Sequence, residues 1–293
     1  MIAYAGAKTD TTFVIPSAVT TIGDAAFWDA FNLTSITIGN SVTTIDGWAF
    51  AHCRNLKSVT IPDSVTSIGE NAFCDCSNLK SVTIPDSVTS IGNEAFFQCY
   101  ALTNIIVAEN NKVYQSIDGN LYSKDGTVLI VYTSGKTDKT FVIPNSVTTI
   151  GNWAFDQCGS LTSITIPNSV TTIGERAFQN CDNLTSVTIP DSVTTISNWA
   201  FAYCDKLTNV TISDSITSIG NHVFYECSNL TSITIPDSVG TIGMLAFYKC
   251  TKLTSITFEG TVEEWGKIVL GSIWNYNVPA TYVQCSNGIV SLS

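Results

Sequence analysis

At 293 residues with 44% hydrophobic and 13% charged side chains, the chain has ample apolar material for a core, which excludes disorder as a description of the whole. A formal net charge of −11 with only 13 Lys and Arg leaves no basic stripe to displace counterions from phosphates, so nucleic acid and anionic membrane surfaces are set aside as partners. No apolar run approaches the roughly 20 residues of a membrane-spanning helix, so no membrane insertion is expected.

The start, Met1-Ile2-Ala3-Tyr4, has neither the basic nor the apolar region of a signal peptide. Met1–Pro16 (MIAYAGAKTDTTFVIP) aligns with Leu129–Pro144 (LIVYTSGKTDKTFVIP) with ten identities in sixteen positions. The chain is therefore expected to begin inside a structural unit, its natural N-terminus and any export signal lying upstream.

Leucines follow at 33, 56, 79 and 102, then at 161, 184, 207, 230 and 253, every step within each set being 23 residues. The shared unit is L-x-x-I-x-I-P-D-S-V-x-x-I-G-x-x-A-F-x-x-C-x-x, and both its period and its L-x-x-L-x-L opening are those of a leucine-rich repeat. In Leu56–Asn78, Val59 and Ile61 alternate with an outward Thr60 as in a short strand. Pro62 ends it, lacking an N–H for a ladder, and Asp63 favours a turn. Val65 and Ile68 point inward again, Gly69 is expected to permit a tight reversal, and Ala72-Phe73 reads as one short helical turn before Cys76. One such coil cannot enclose its apolar side; stacked neighbours bury it. The expected fold is a repeat solenoid: a right-handed leucine-rich-repeat coil with a parallel β-sheet face and short helical or 3-10 turns.

From Leu102 to Leu161 the gap is 59 residues, two periods (46) plus 13. The excess contains two turn signals, Asp118-Gly119-Asn120 and Lys124-Asp125-Gly126, between β-rich runs, which predicts a small antiparallel β-meander insert. The organisation read along the chain is repeat array 1 over 1–108, the insert over 109–135, repeat array 2 over 136–258, and a C-terminal cap over 259–293. The period is lost after Phe258, and a solenoid needs its last apolar cross-section covered.

Eight of ten cysteines, Cys53, Cys76, Cys99, Cys158, Cys181, Cys204, Cys227 and Cys250, share one register. They read as a ladder of buried free thiols with weak hydrogen bonds, because parallel side chains in matching rotamers do not meet the disulfide dihedral. Cys74-Asp75-Cys76 is not a spaced C-x-x-C pair, so no metal site and no cofactor is expected. The two histidines, His52 and His222, stand at different registers, and no nucleophile-elbow, phosphate-loop or zinc-helix motif occurs, so the chain reads as no enzyme. Asp63, Asp86, Asp191, Asp214 and Asp237 share one register. That row reads either as turn-forming carboxylates or as a row a hard cation could bridge.

Two surfaces stand out. The outward strand positions are nearly uniform Ser and Thr, which lack the aromatic or Arg anchors of a hot spot. The other side carries Trp48, Trp153 and Trp199 in one register just before the Ala-Phe pair. Phe97, Tyr225 and Tyr248 share another just after it, with Tyr203 next door. Trp48, Trp153, Trp199, Tyr203, Tyr225 and Tyr248 are the candidate binding residues; packing over neighbouring coils is the reading left open beside that one.

The unit I-P-x-S-V-x-x-I-G-x-x-A-F-x-x-C resembles the BspA-like leucine-rich repeat proteins of host-associated bacteria. So do Gly119-Asn120-Leu121-Tyr122-Ser123-Lys124-Asp125-Gly126 and the ending with Gly260-Thr261-Val262-Glu263-Glu264-Trp265 and Val283-Gln284-Cys285-Ser286-Asn287-Gly288. The resemblance implies an exported or cell-surface protein and adhesion to host matrix or other microbes. It carries over no catalytic or ligand-contacting residue. The expected function is thus a non-catalytic binding module for a protein or glycan ligand, with a rigid spacer presenting another domain as the alternative.

Overall fold

A computed structural model of the chain describes residues 10–292. The aligned start Met1–Pro16 falls mostly outside them. The chain forms two compact units, residues 1–136 and 137–293.

In the first unit, strands Thr12–Val14, Ser35–Thr37, Ser58–Thr60, Ser81–Ile84 and Asn104–Val107 make a parallel sheet in that order. Its register advances by one 23-residue repeat per strand: Thr12 faces Ser35, Ser35 faces Ser58, Ser58 faces Ser81 and Ser81 faces Asn104. The strand alternation follows from side-chain polarity: Ser58 and Thr60 are exposed and Val59 between them is buried. The pairs Thr21–Ile22, Thr44–Ile45, Ser67–Ile68 and Ser90–Ile91 make a second parallel sheet on the next side of the coil.

The third side departs from the expected helical turn. The amides of Ala72 and Cys74 do bond back to the carbonyls of Gly69 and Asn71, as in 3-10 turns. Asn71 and Asp75, however, are left-handed (φ 54° and 53°), which no continuous helix allows. The alternate amides reach sideways instead: Asn71, Phe73 and Asp75 donate to the carbonyls of Asn93, Ala95 and Phe97 of the next coil at 3.0, 2.8 and 2.8 Å. All three sides are therefore hydrogen-bonded coil to coil. Gly69 serves close approach rather than reversal: it is not left-handed, and a Cβ there would lie 2.4 Å from the Gly47 amide nitrogen.

Inside, Phe27, Phe50, Phe73 and Phe96 stack with ring centroids 5.1, 5.2 and 5.7 Å apart, close to the spacing of strands in a sheet. Hydroxyl residues reinforce the surface. Thr66 Oγ1 donates to the Thr43 carbonyl and Ser64 Oγ to the Val42 carbonyl, each one coil back, and the same bonds recur along the chain. The abundance of Ser and Thr thus has a structural cause. The insert is the expected antiparallel meander, Tyr114–Ile117, Asn120–Ser123 and Val128–Val131.

In the second unit, Thr140–Val142, Ser163–Thr165, Ser186–Thr188 and Asn209–Thr211 form one parallel sheet. Ser232–Ile235, Ser255–Phe258 and Tyr282–Cys285 form another, closed by the antiparallel strand Gly288–Ser291. The second side runs from Thr149–Ile150 through Thr172–Ile173, Thr195–Ile196, Ser218–Ile219 and Thr241–Ile242 to Val269–Leu270. The sequence reading ended the period at Phe258, but a further, altered coil follows. Thr241 pairs with Val269 and Ile256 with Val283, steps of 28 and 27 residues rather than 23. The extra residues are taken up by a one-turn helix, Val262–Trp265, capped reciprocally by Thr261 and Glu264. Phe247 donates to the Trp274 carbonyl just as Phe224 donates to that of Ala246, so Trp274 and Asn275 stand where earlier coils have Ala and Phe. Trp265 and Trp274 are buried over Phe258 and Phe247.

Candidate binding surface

The third side of the second unit carries most of the candidate residues. In its first register, Trp153, Arg176, Trp199 and His222 come from successive coils and stack into one column. The Arg176 guanidinium lies 4.4 Å from the Trp153 ring centroid and 5.4 Å from that of Trp199. His222 lies flat on Trp199, at 3.9 Å and 4°. Arg176 comes from the coil before Trp199 and His222 from the coil after, so both faces of that indole are covered by the protein itself. Burial first, and the Arg176 charge second, push the His222 pKa down, so the ring is neutral near pH 7.

A second column runs beside it. Tyr225, Tyr248 and Tyr276 stack at 4.7 Å (14°) and 5.3 Å (15°). Tyr203 meets Tyr225 edge-on at 5.3 Å, and Tyr225 lies 5.3 Å from Trp199. Burial first, then the Glu226 charge, raises the pKa of Tyr203 and Tyr225, so their hydroxyls stay protonated as donors. Lys249 Nζ donates to Glu226 Oε1 at 3.0 Å and lies 5.2 Å from the Tyr248 ring centroid, completing a mixed aromatic and charged wall. Trp153, Trp199, Tyr203, Tyr225 and Tyr248 are half-buried, and Tyr276 at the end of the column is exposed.

Of the six candidates, Trp153, Trp199, Tyr203, Tyr225 and Tyr248 thus share one wall, whereas Trp48 lies in the first unit. There it meets Trp28 at 5.3 Å, and Trp28 meets His52 at 4.6 Å. The buried Asp75 carboxylate accepts from His52 Nδ1 at 2.9 Å and from Arg54 Nε at 2.7 Å, tying two coils together beneath that group. Sequence reading missed Arg176, His222 and Tyr276. The first two stand one repeat from Trp153 and Trp199, so register was the available signal; Tyr276 lies beyond the regular period.

The strand face offers less. A shallow cleft of about 310 Å³ lies where pairing between Ser163–Thr165 and Ser186–Thr188 narrows to Ser163 facing Ser186, lined by hydroxyl residues with Ile164, Ile166 and Val187. The thiol ladder is buried, and seven of its eight members, such as Cys76 and Cys204, donate to the carbonyl of a Phe one coil back. The Asp63, Asp86, Asp191, Asp214 and Asp237 side of the turn is exposed, and among the described residues no three His, Cys, Asp or Glu are grouped to hold a metal ion. No helix of the described residues is long and apolar enough to cross a membrane.

Comparison with known proteins agrees with this architecture. The BspA type leucine rich repeat region matches in six copies, over residues 3–124, 134–254 and 217–278. A leucine rich cell surface protein of Faecalibacterium prausnitzii is similar at 29% identity, covering 89% of this chain and 91% of its own, with a TM-score of 0.68. A leucine-rich repeat protein of Bacteroides ovatus is 27% identical over 94% of this chain and 68% of its own, with a TM-score of 0.56. The pneumococcal vaccine antigen PcpA shares the fold at 22% identity, covering 95% and 91% with a TM-score of 0.65. No curated protein sequence matches the chain. With the repeat pattern matched over nearly its whole length, the chain belongs to the BspA-type leucine-rich repeat family.

Proposed function

We propose that this chain is a non-catalytic recognition module, exported or displayed at a cell surface, that holds a protein partner against the wall running from Trp153 to Tyr276. The observation that carries the reading is the concentration of Trp, Tyr and Arg at the half-buried outer registers of that wall, while core registers hardly change from coil to coil. Those three residue types dominate protein hot spots, and here they stand on a hydrogen-bonded backbone that loses little freedom on binding. Likeness to a bacterial leucine rich cell surface protein supports the location. A protein is favoured over a glycan because sugar rings stack on aromatic faces, and the faces of Trp199 are already covered. The same internal stacking is what supports the second reading, a rigid spacer whose wall only packs on itself.

The test is binding of the purified chain to immobilised host matrix proteins and to a glycan array, beside a Tyr203→Ser/Tyr248→Ser variant and a Thr165→Ala/Thr188→Ala variant of the strand face. The expected result is saturable protein binding, lost at least tenfold in the tyrosine variant alone, at an unchanged melting temperature. Glycan binding would change the ligand class, loss in the threonine variant would move the site to the strand face, and no binding to either panel would favour the spacer.

A further inference from the structure

We propose that the open edge of the last coil, Val269 to Asn277, is a second interaction surface, which takes a polypeptide segment shaped like a coil of this chain as one more rung of the solenoid. This surface does not depend on the wall reading.

The inference rests on the hydrogen-bond pattern of the third side. In each regular coil of the second unit, three alternate amides donate to three carbonyls of the coil that follows. Trp153, Phe155 and Gln157 donate to Glu175, Ala177 and Gln179; His222, Phe224 and Glu226 donate to Met244, Ala246 and Tyr248. Leu245, Phe247 and Lys249 donate in the same way to Ser272, Trp274 and Tyr276 of the last coil. The next three donors in this series are the amides of Ile273, Asn275 and Asn277, and among the described residues no carbonyl receives them. Ile273 and Asn277 keep the left-handed backbone of their registers (φ 47° and 61°), so the row is already in the donating conformation. Beside it, Val269–Leu270 is the terminal strand of the second sheet.

Side chains mark the same edge. Leu270 occupies the register of Ile242, Ile219 and Ile196, which are fully buried, yet it is 39% exposed. Val269, Ile273, Tyr276 and Met244 are exposed around it. The helix Val262–Trp265 and the hairpin Tyr282–Ser291 cover the Phe column and the first sheet but not this side. Unpaired strand edges with apolar side chains are templates for added strands.

The donor row also selects the occupant. It needs acceptors at alternate residues, which a polypeptide backbone supplies when it takes up the turn conformation of the coils, as the segment around Arg176 and Asn180 does for the row of Trp153. A two-fold pairing with a second copy would set donors against donors along this row.

The probe is a synthetic peptide copying Thr171–Asp182 with Cys181→Ser, the segment whose Glu175, Ala177 and Gln179 carbonyls fill this row one coil after Trp153. The full chain is titrated with it, with amide hydrogen exchange read at Ile273, Asn275 and Asn277. Expected are rapid exchange at all three in the free chain, marked protection at saturation, and a Kd of about 10–100 µM. A Val269→Asp/Leu270→Asp variant, altered only at exposed positions, should bind at least tenfold more weakly with an unchanged melting temperature. Protection of those amides in the free chain, absence of peptide binding, equal binding by the variant, or protection that tracks dimer formation in sedimentation would each overturn the proposal.

Discussion

Glu94, Gln98, Leu245 and Lys249 hold φ between 55° and 57°, a region that a residue with a Cβ enters at a cost of about 1–2 kcal/mol. Asn, Asp and His, as at Asn71, Asp75 and His52, occupy it with less strain. At Leu245 and Lys249 the cost is offset because the left-handed residue aims its amide at the next coil, at the carbonyls of Ser272 and Tyr276, as Asp75 does to Phe97, and such bonds contribute about 0.5–1.5 kcal/mol apiece. This is why the expected turn stays at single 3-10-type bonds and does not continue as a helix: Ala-Phe has helical propensity, but the sideways bonds of the stack override it. The two geometries respond oppositely to glycine. Gln98→Gly removes the left-handed penalty and gives back only about 0.4–1 kcal/mol through the unfolded chain, so the denaturant midpoint should stay level or rise. Gln98→Val should lower stability by about 1–2 kcal/mol, since a β-branched residue fits that region worst. A loss near 1 kcal/mol for the glycine variant, the value for a helix interior, would refute the left-handed turn.

The thiol ladder shows how an element can be legible in full when its register is strict. Eight cysteines at one position per coil could only line the interior, and there all but Cys158 donate weakly to Phe carbonyls at 3.1–3.2 Å, as Cys53, Cys181 and Cys250 do. Burial pushes Cys53 and Cys250 up to about 12 from a model-peptide value of 9.0. Because the folded value lies above the unfolded one, the stability tied to keeping these thiols neutral is fully present below pH 9 and is lost as pH rises toward 12. The melting temperature should therefore fall steeply across that alkaline window, and iodoacetamide should leave the ladder unmodified at pH 8 until denaturant is added. Rapid alkylation of the folded chain at pH 8 would mean that the ladder opens to solvent. Less of the wall was legible. Trp153, Trp199, Tyr225 and Tyr248 were visible as aromatics in shared registers, but a search for aromatics passed over Arg176 and His222, which fill the gaps in the same column. The last coil was hidden for a physical reason too: Trp274 at the Ala register supplies the bulk that Phe supplies elsewhere, so Asn can follow it and the Ala-Phe signature disappears.

Within each unit, the order of the coils in sequence is their order in space, and each pairs with its immediate neighbours, at steps of 23 residues up to the altered last coil of the second unit. A solenoid of this kind has stability that is close to a sum of coil and interface terms, so damage should spread by nearest-neighbour steps. Phe178 tests this within the second unit. Its ring is fully buried and stacks at 4.9 Å on Phe155 and 5.0 Å on Phe201. Phe178→Ala opens a cavity worth about 3–5 kcal/mol and strips one contact from each neighbour. Hydrogen exchange should then accelerate first at the amides of Phe155, Phe178 and Phe201, which donate from one coil to the next. The effect should be smaller at Phe224 and Phe247, and smallest at Ser255–Phe258, several interfaces away. A uniform loss of protection from Thr140 to Phe258 would instead make the array one cooperative body, in which the coils are a covalent pattern rather than a thermodynamic one.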